Sequence, residues 1–400
     1  MRVLLADSLS SSVLDKLEAA GCSVENHPHL KGDSLTEALK SLKPQVLVVR
    51  STKVTAADFA AAPSLELVVR AGAGYDNIDV STASGLGVFV ANCPGKNAVA
   101  VAELTIGLML SLDRSLPDNI SDFRNGEWNK EKYGEASGLK GRTLGVVGLG
   151  NIGKEVIKRA KGLEMNVVAW SRSLTKEEAA ILGVKRMATP ADVARKADVV
   201  SLHVSANSQT AGLADQAFFE AMKPGAFFIN TTRSTVVDEA AMLKAISEKQ
   251  IRVGLDVFSD EPVGKSGPFS HPFSANPSIY VTHHIGASTE QAQEAIAQEA
   301  GRIIVEYSQT GEVANCVNLA TQSAATHQVT VRHLDKVGVL ARVLKEISIA
   351  HWNVQEMENV VFDEARAACA YIRFDGDPDE AVVHRIEALE DVLAVSLITL

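Results

Sequence analysis

A glycine-rich segment between two apolar runs constrains the fold of this 400-residue chain more than any other feature. It reads Gly148-Leu149-Gly150-Asn151-Ile152-Gly153. The apolar run 143–147 precedes it, a helical pattern over 154–163 follows it, and a second apolar run begins at residue 166. In such a βαβ unit the first glycine makes a tight turn, the second lets the backbone approach a pyrophosphate, and the third allows close helix packing. The context favours a Rossmann-type dinucleotide-binding domain over a glycine turn that merely joins a strand to a helix.

Short apolar runs alternate with helical stretches along most of the chain, and this alternation predicts parallel α/β sheets. One series lies in the first 70 residues, and a second runs from residue 143 to residue 282. Between the two series, apolar residues recur at helical spacing over 97–112, which predicts a long helix that bridges two domains. A chain of this length exceeds the size of a single hydrophobic core, so we expect two or three domains.

The last part of the chain differs from the rest. Residues 317–326 are mostly small and polar, as in a linker, and the following pattern has the order βαββαβ of a ferredoxin-like unit. We therefore predict a flavodoxin-like substrate domain (1–96 and 284–318), a nucleotide-binding domain inserted into it (97–283), and a separate C-terminal unit (326–400).

Composition excludes several classes of protein. The formal net charge of -10 disfavours a nucleic-acid-binding function, because phosphate backbones require a basic face. The four cysteines show neither metal-ligand spacing nor the density of a disulfide-rich secreted domain, so we expect reduced thiols and no metal site. The first residues read as a strand rather than a signal peptide, and no apolar run has the length of a membrane span. These features predict a cytoplasmic protein.

The second strand of the nucleotide unit lacks the carboxylate that usually holds the ribose hydroxyls of NAD. The chain reads Ala169-Trp170-Ser171-Arg172-Ser173 at this point. Arg172 and the two serines suit the 2'-phosphate of NADP, whereas the alternative is a solvated arginine beside a less tightly bound NAD. We expect NAD as cofactor, with NADP as a second possibility.

Further motifs follow the glycine-rich segment in chain order. They are Asn230-Thr231-Thr232-Arg233, residues 255–262 and residues 283–289, and two strings precede them at 49–55 and 69–79. Together they resemble the D-isomer-specific 2-hydroxyacid dehydrogenases over essentially the whole chain, and the C-terminal unit resembles an ACT domain. The resemblance implies hydride transfer between a nicotinamide cofactor and a small 2-hydroxy acid, in particular the phosphorylated acid of serine biosynthesis.

Three residues carry the implied chemistry. His284 is the expected base for the hydroxyl proton, because imidazole titrates near neutral pH. Glu261 is expected to fix the tautomer of His284, and Arg233 to bind the substrate carboxylate through its planar fork. The family usually has proline before this histidine and glycine after this arginine, where the present chain has His283 and Ser234. The cofactor-lining residues that the resemblance implies are Thr231, Thr232, Asp256 and Gly286.

A phosphorylated acid also needs cations at its far end. Arg50 and Arg70 stand at the ends of adjacent predicted strands, where open α/β sheets place their ligands. The alternative is that both are solvated strand-end charges. The amides of Gly72, Ala73 and Gly74 suggest an anion-binding nest for the carboxylate. By resemblance to relatives, Lys130 is a further candidate, contributed to the site of a partner subunit.

The resemblance further implies a homodimer or homotetramer and an amino-acid effector, serine, at the C-terminal unit. The candidate effector residues are His333, Asp335 and Asn353, with Asp335 standing where relatives have asparagine. A purely structural oligomerisation role for this unit is the alternative. Two other functions also stay open for the whole chain: a glyoxylate or hydroxypyruvate reductase, and a nucleotide-sensing regulatory protein like the co-repressors that share this fold.

Overall fold

The computed structural model describes residues 1–262 and 266–400, which form two compact units, Met1–Asn318 and Leu319–Leu400. The first unit contains two parallel sheets with helices packed on them, and the second contains one small antiparallel sheet. The predicted α/β fold class is therefore confirmed. Among the described residues, no helix combines the length and the apolar character that crossing a bilayer requires.

The first sheet of the larger unit is five-stranded and parallel, in the order β2-β1-β3-β4-β5. Its strands are β1 (Arg2–Leu5), β2 (Ser23–Asn26), β3 (Val46–Val49), β4 (Leu67–Arg70) and β5 (Phe89–Asn92), and its helices are α1 (Ser11–Ala19), α2 (Asp33–Leu42), α3 (Ala56–Ala61) and α4 (Val80–Gly85). The Val-Leu-Val-Val run of β3 is buried throughout, as a central parallel strand covered on both faces should be. Val49 pairs with Arg70, so the residues that follow β3 and β4 emerge side by side.

The second sheet is seven-stranded and parallel, in the order β12-β11-β10-β9-β6-β7-β8. Its strands are β6 (Thr143–Val147), β7 (Asn166–Trp170), β8 (Lys185–Arg186), β9 (Val199–Leu202), β10 (Phe227–Asn230), β11 (Arg252–Leu255) and β12 (Ile279–Val281). The helices that accompany it are α5 (Ala98–Arg114), α6 (Leu116–Arg124), α7 (Asn151–Gly162), α8 (Lys176–Leu182), α9 (Pro190–Lys196), α10 (Gln216–Ala221) and α11 (Glu239–Lys249). The strand order reverses between β6 and β9, which is the switch point where doubly wound sheets bind ligands.

Two long helices connect the sheets. The predicted bridging helix is α5, and it packs closely on the second sheet, where Gly254 of β11 faces Leu108 and Leu112. After β12 the chain returns through α12 (Glu290–Thr310) to the first sheet, where Gly301 lies against Val13 of α1. The second sheet thus lies in an insertion between two segments that pack on the first. The division into substrate and nucleotide-binding domains at residues 96 and 284 remains a proposal.

The C-terminal unit has the predicted element order βαββαβ. It consists of β13 (His327–Leu334), α13 (Val339–Ile349), β14 (Asn353–Val361), β15 (Ala367–Asp375), α14 (Glu380–Glu387) and β16 (Val392–Thr399). The strands are antiparallel in the order β14-β15-β13-β16. Trp352 stacks on Phe374 with ring centroids 4.1 Å apart and helps to close its core.

Candidate active site

The glycine-rich segment has the geometry that a bound dinucleotide requires. Gly148 has a φ of 101°, and a Cβ on it would overlap the carbonyl of His203. A Cβ on Gly153 would overlap the carbonyl oxygen of Gly148, whereas a Cβ on Gly150 would meet no atom within 4 Å. Only glycine fits at positions 148 and 153 without a steric overlap. Gly150 instead leaves open space in front of the N-terminus of α7, where backbone N–H groups and the helix dipole favour a pyrophosphate. The residues present fit a nicotinamide dinucleotide.

The other cofactor candidates lie around this segment. Asn151 begins α7, and its side chain packs against Gly95. A Cβ on Gly95 would come within 2.7 Å of Asn151 Nδ2. Ser171 and Arg172 follow the end of β7, and Arg172 is exposed with its Nη1 donating to Gln209 Oε1. A basic side chain thus occupies the place of the expected carboxylate. The motifs did not indicate the partnership with Gln209.

The turn that follows β10 is held by one amide side chain. Asn230 Oδ1 accepts hydrogen bonds from Thr232 N at 2.9 Å and from Thr232 Oγ1 at 2.7 Å, while Asn230 Nδ2 donates to Arg233 O at 3.0 Å. Thr231 is buried, with its hydroxyl 3.3 Å from that of Thr105. Thr231 and Thr232 are therefore both buried directly after β10, and the hydrogen bonds of Asn230 hold the backbone from which the Arg233 side chain extends.

Arg233 contacts the loop after β4. Its Nε and Nη2 donate to the two carboxylate oxygens of Asp76 at 3.3 and 3.0 Å, and its guanidinium lies directly against Gly74, where a Cβ would overlap Nη2. Sequence reasoning missed Asp76 as a functional residue, although it lies inside the string 69–79 that carries the family resemblance. The spacing of the two residues along the chain contains no signal for this contact.

His284 and Glu261 form the predicted pair, with His284 Nδ1 2.8 Å from Glu261 Oε2. Because an ionised carboxylate can only accept, Nδ1 carries a hydrogen and Nε2 is left for proton exchange. The hydrogen bond to Glu261 raises the pKa of His284 and outweighs the opposing effect of burial. Burial acts to raise the pKa of Glu261, but the bond and charge of His284, with the N–H of Phe258, bring it below its usual value. The pair therefore stabilises a protonated imidazole.

The backbone at His284 is in the left-handed region, with a φ of 52°, and Asp256 holds the residues that follow it. The buried carboxylate of Asp256 accepts hydrogen bonds from Ile285 N at 2.9 Å, Gly286 N at 2.8 Å and Thr282 Oγ1 at 2.6 Å. A non-glycine residue in this conformation is strained and persists only where its surroundings enforce it. Asp256 supplies that enforcement, whereas its implied contact with the nicotinamide amide stays a prediction.

The candidate substrate cations lie at the carboxyl ends of β3 and β4, as predicted. Among residues 1–262 and 266–400, Arg70 Nε is buried without a hydrogen-bond partner. Burial, and then the positive charge of Arg233, lower the pKa of Arg70 to about 10, with a smaller contribution from Arg50 and an opposing one from Asp76. Burial also lowers the pKa of Arg50, against the opposing effect of Asp7. Three arginines thus crowd one end of the first sheet.

The glycine string after β4 differs from the predicted nest. Gly72 N donates to Arg70 O at 2.8 Å, so this amide is not free for an anion. Gly72 has a φ of 153°, which favours glycine, and its lack of a side chain leaves room for the Arg70 guanidinium, which a Cβ would overlap. The prediction for the nest is therefore reduced to the amides of Ala73 and Gly74.

Two groups of predicted residues lie outside this cluster. Lys130 is exposed in the segment between α6 and β6. In the C-terminal unit, buried His333 is hydrogen-bonded to Leu334 O at 2.8 Å and to Asn359 Oδ1 at 3.1 Å, and Asp335 N donates to Arg366 O at 3.1 Å. Asn353 pairs with Asp375, about 20 Å along the sheet from His333. One copy of the unit therefore does not bring the three effector candidates together.

A doubly wound sheet with a dinucleotide loop, beside an arginine and a histidine–glutamate pair, is the arrangement of a nicotinamide-dependent oxidoreductase. Residues 106–286 match the family model of the D-isomer specific 2-hydroxyacid dehydrogenase, NAD binding domain. The resemblance inferred from the motifs is confirmed, because residues 106–286 match this family and D-3-phosphoglycerate dehydrogenases are similar over most of the chain. The ACT character of the C-terminal unit stays a prediction.

Individual relatives are similar over most of the chain. A D-3-phosphoglycerate dehydrogenase of Methanocaldococcus jannaschii is 37% identical over 80% of this chain, and the chain spans 60% of the length of that relative. The NAD+-bound 3-phosphoglycerate dehydrogenase of Entamoeba histolytica is 25% identical with a TM-score of 0.66, over 80% of this chain and 99% of the other. An NADPH-dependent glyoxylate/hydroxypyruvate reductase of Sinorhizobium meliloti is 27% identical with a TM-score of 0.69, over 79% and 97%.

Proposed function

We propose that this protein oxidises 3-phospho-D-glycerate to 3-phosphohydroxypyruvate with NAD, the first step of the phosphorylated pathway of L-serine biosynthesis. The observation that carries the proposal is the group of arginines at the end of the first sheet, Arg50, Arg70 and Arg233, in which a buried N–H of Arg70 has no partner within residues 1–262 and 266–400. A substrate with two anionic ends needs cations for both. The activity named for the Methanocaldococcus jannaschii relative supports the same substrate.

The His284–Glu261 pair handles the proton in this proposal. When bound, the nicotinamide supplies the acceptor for the C2 hydrogen and its two electrons. His284 Nε2 takes the proton of the C2 hydroxyl, so that the C2–O bond becomes a carbonyl. The resulting imidazolium is stabilised by the Glu261 carboxylate 2.8 Å from Nδ1. In the reverse direction the same nitrogen returns the proton to the carbonyl oxygen.

Arg233 orients the acid in this proposal. Its planar fork presents parallel N–H groups to the substrate carboxylate, and such charge-assisted pairs bind more strongly than neutral hydrogen bonds. Its positive charge also favours electron density on the C2 oxygen as the carbonyl forms. By binding the carboxylate, Arg233 orients the substrate so that the C2 hydrogen points toward its acceptor.

Arg70 and Arg50 would receive the phosphate. Their like charges lie near each other and near Arg233; burial first, and then the charges of Arg233 and Arg50, lower the pKa of Arg70 to about 10. A phosphate dianion would satisfy the unpaired Nε of Arg70 and relieve the repulsion. Lys130 of a partner subunit would add a further cation if the protein assembles as its family resemblance implies.

A substrate panel tests the proposal. We expect kcat/KM to be higher for 3-phosphohydroxypyruvate than for hydroxypyruvate or glyoxylate. Arg70→Gln should lower kcat/KM for the phosphorylated acid by about 10- to 150-fold, equivalent to about 1.5–3 kcal/mol for a charge-assisted hydrogen bond, with little change for hydroxypyruvate. Arg2→Gln, at the amino end of β1 on the same sheet, is the matched control. Equal loss on both acids in Arg70→Gln would refute the phosphate role.

The basic residue after β7 favours a second candidate, a reductase of unphosphorylated 2-oxo acids that uses NADP. The observation is Arg172 in place of a carboxylate, paired with Gln209. Under this alternative the panel would favour glyoxylate or hydroxypyruvate. Absence of turnover with every acid would instead support the nucleotide-sensing regulatory function.

The cofactor itself is tested by Arg172→Ala. If Arg172 binds a 2'-phosphate, KM for NADPH should rise about 10- to 150-fold while KM for NADH is unchanged, because a single charge-assisted contact is lost. The steady-state rates with the two cofactors give both values. Arg195→Ala, an exposed arginine on α9 that pairs with Asp192, is the control. Unchanged NADPH kinetics in Arg172→Ala would leave this arginine as a solvated side chain.

We propose that the C-terminal unit is an ACT-like domain that assembles the protein into a homodimer or homotetramer and binds serine between copies. The βαββαβ topology supports the assignment. Because Asn353 and His333 lie at opposite ends of the sheet in one copy, a site that uses both needs a second copy. Serine titration of activity and of the melting temperature tests the effector; no response in either would leave oligomerisation as the role.

A further inference from the structure

The loop after β4 reaches the second sheet through one carboxylate. Asp76 lies six residues beyond the end of β4, and its Oδ2 and Oδ1 accept from Nε and Nη2 of Arg233, 157 residues further along the chain. Both oxygens meet the same edge of the guanidinium, which makes the contact a side-on, bidentate pair. Gly74 lies against the same group, and a Cβ there would overlap Nη2. The guanidinium is thus located by two features of one loop.

The protein contacts of Arg233 use three of its five N–H groups. A guanidinium has five N–H groups, one on Nε and two on each terminal nitrogen. Asp76 accepts from Nε and from one N–H of Nη2, and Thr232 O accepts from one N–H of Nη1 at 2.9 Å. One N–H on Nη1 and one on Nη2 therefore remain. Two donors on the two terminal nitrogens match the two oxygens of a carboxylate.

We propose that Asp76 is a positioning residue for the substrate carboxylate: it takes the side-on edge of Arg233 and leaves one N–H on each terminal nitrogen for the acid. The proposal rests on the function proposed above. Asp76 does not touch the acid. It acts by holding Arg233 in one orientation and by placing a negative charge among three arginines.

The electrostatics of the loop agree with this role. Burial acts to raise the pKa of Asp76, but the hydrogen bond and charge of Arg233 bring it below its usual value, and Arg70 adds to the effect. Asp76 also opposes the lowering of the pKa of Arg70 that its arginine neighbours cause. A carboxylate at this position therefore stays ionised at neutral pH and reduces the repulsion between Arg70 and Arg233.

The matched pair of variants is Asp76→Asn and Asp79→Asn. The first substitution keeps the size of the side chain but removes its charge and its second acceptor, so Arg233 is free to rotate. We expect kcat/KM for the acid to fall about 10- to 100-fold through a higher KM, as small displacements of orienting groups commonly cause. Asp79 lies on the same loop, but its carboxylate caps α4 through Thr82 N at 3.0 Å and Thr82 Oγ1 at 2.7 Å. Its variant should keep the wild-type KM.

A binding measurement separates this inference from the proposed reaction. Oxalate, a small dicarboxylate, is titrated calorimetrically into the full-length protein saturated with NADH. We expect Asp76→Asn to weaken oxalate binding about 10- to 100-fold, with wild-type affinity for NADH, and Asp79→Asn to bind oxalate like the wild type.

The outcomes are distinguishable. If the wild type turns over none of the acids but binds oxalate in an Asp76-dependent way, the proposed function fails and the positioning role stands. If Asp76→Asn binds oxalate as the wild type does, the positioning role is overturned. The same holds if Asp76→Asn and Asp79→Asn show an equal rise in KM and an equal fall in melting temperature. Failure of the wild type to bind oxalate overturns it as well.

Discussion

Replacing His284 with alanine is expected to lower kcat by about 10²- to 10⁴-fold, the usual contribution of a positioned general base. Within the Glu261–His284 pair, the imidazole Nε2 exchanges the substrate proton, because Nδ1 is hydrogen-bonded to the carboxylate. Affinity for NADH should stay near that of the wild type. Stopped-flow and steady-state measurements with 3-phosphohydroxypyruvate give both quantities.

The backbone at this position calls for a second variant. His284 has a φ of 52°, a conformation that alanine tolerates poorly and asparagine tolerates better. His284→Asn should therefore lose as much kcat as His284→Ala while keeping more of the melting temperature. His283→Ala is the matched control, because His283 is exposed and lies outside the pair. A loss of kcat in His283→Ala equal to that in His284→Ala would contradict the assignment of a single base.

The pH profile tests the role of Glu261. The neutral form of His284 is needed to accept a proton, so oxidation should accelerate as the pH rises through the raised pKa of His284. Reduction needs the protonated form and should slow over the same range. Glu261→Gln removes the charge that raises this pKa, so both limbs should move to lower pH and the maximal kcat should fall. Limbs that do not move would show that Glu261 does not set the pKa of His284.

Replacing Arg233 with lysine is expected to lower kcat/KM by about 10- to 150-fold, the equivalent of about 1.5–3 kcal/mol for the loss of a charge-assisted hydrogen bond. Lysine keeps the positive charge but loses the planar fork that binds the two oxygens of a carboxylate. It also cannot bond Asp76 and Thr232 while presenting two further donors, as Arg233 does. Steady-state kinetics with the phosphorylated acid measure the loss.

A second arginine provides the control for this variant. Arg159 on α7 pairs with Glu155 and Glu103 at the surface of the same part of the chain, so Arg159→Lys should keep the wild-type kcat/KM. Binding of NADH should be normal in both variants, because Arg233 is proposed to contact the acid and not the dinucleotide loop. An Arg233→Lys protein with wild-type kcat/KM would exclude this arginine as the carboxylate ligand.

Much of this molecule is readable from local sequence patterns. The spacing of Gly148, Gly150 and Gly153 predicts the dinucleotide loop, because each glycine answers a steric demand of a strand, a turn and a helix that are neighbours in the chain. The bridging helix and the βαββαβ order of the C-terminal unit are likewise consequences of periodicity over short stretches. The pairing of Glu261 with His284 follows the family motif and is present at 2.8 Å.

Other features depend on contacts between distant segments. No local pattern indicates that Asp76 meets Arg233 or that Arg172 meets Gln209. The left-handed backbone of His284 is likewise set from outside its own segment, through the bonds that Asp256 receives from the following residues.

The sequence by itself thus determined the elements and the chemical types of the site residues, because hydrophobic periodicity and glycine sterics act over a few neighbouring positions. The tertiary structure alone decided which charges become partners. In the folded chain the loops that follow β4 and β10 meet, and only then do the side chains of Asp76 and Arg233 lie within hydrogen-bonding distance. That distance depends on two loops that are far apart in the chain, so no single stretch of sequence predicts it.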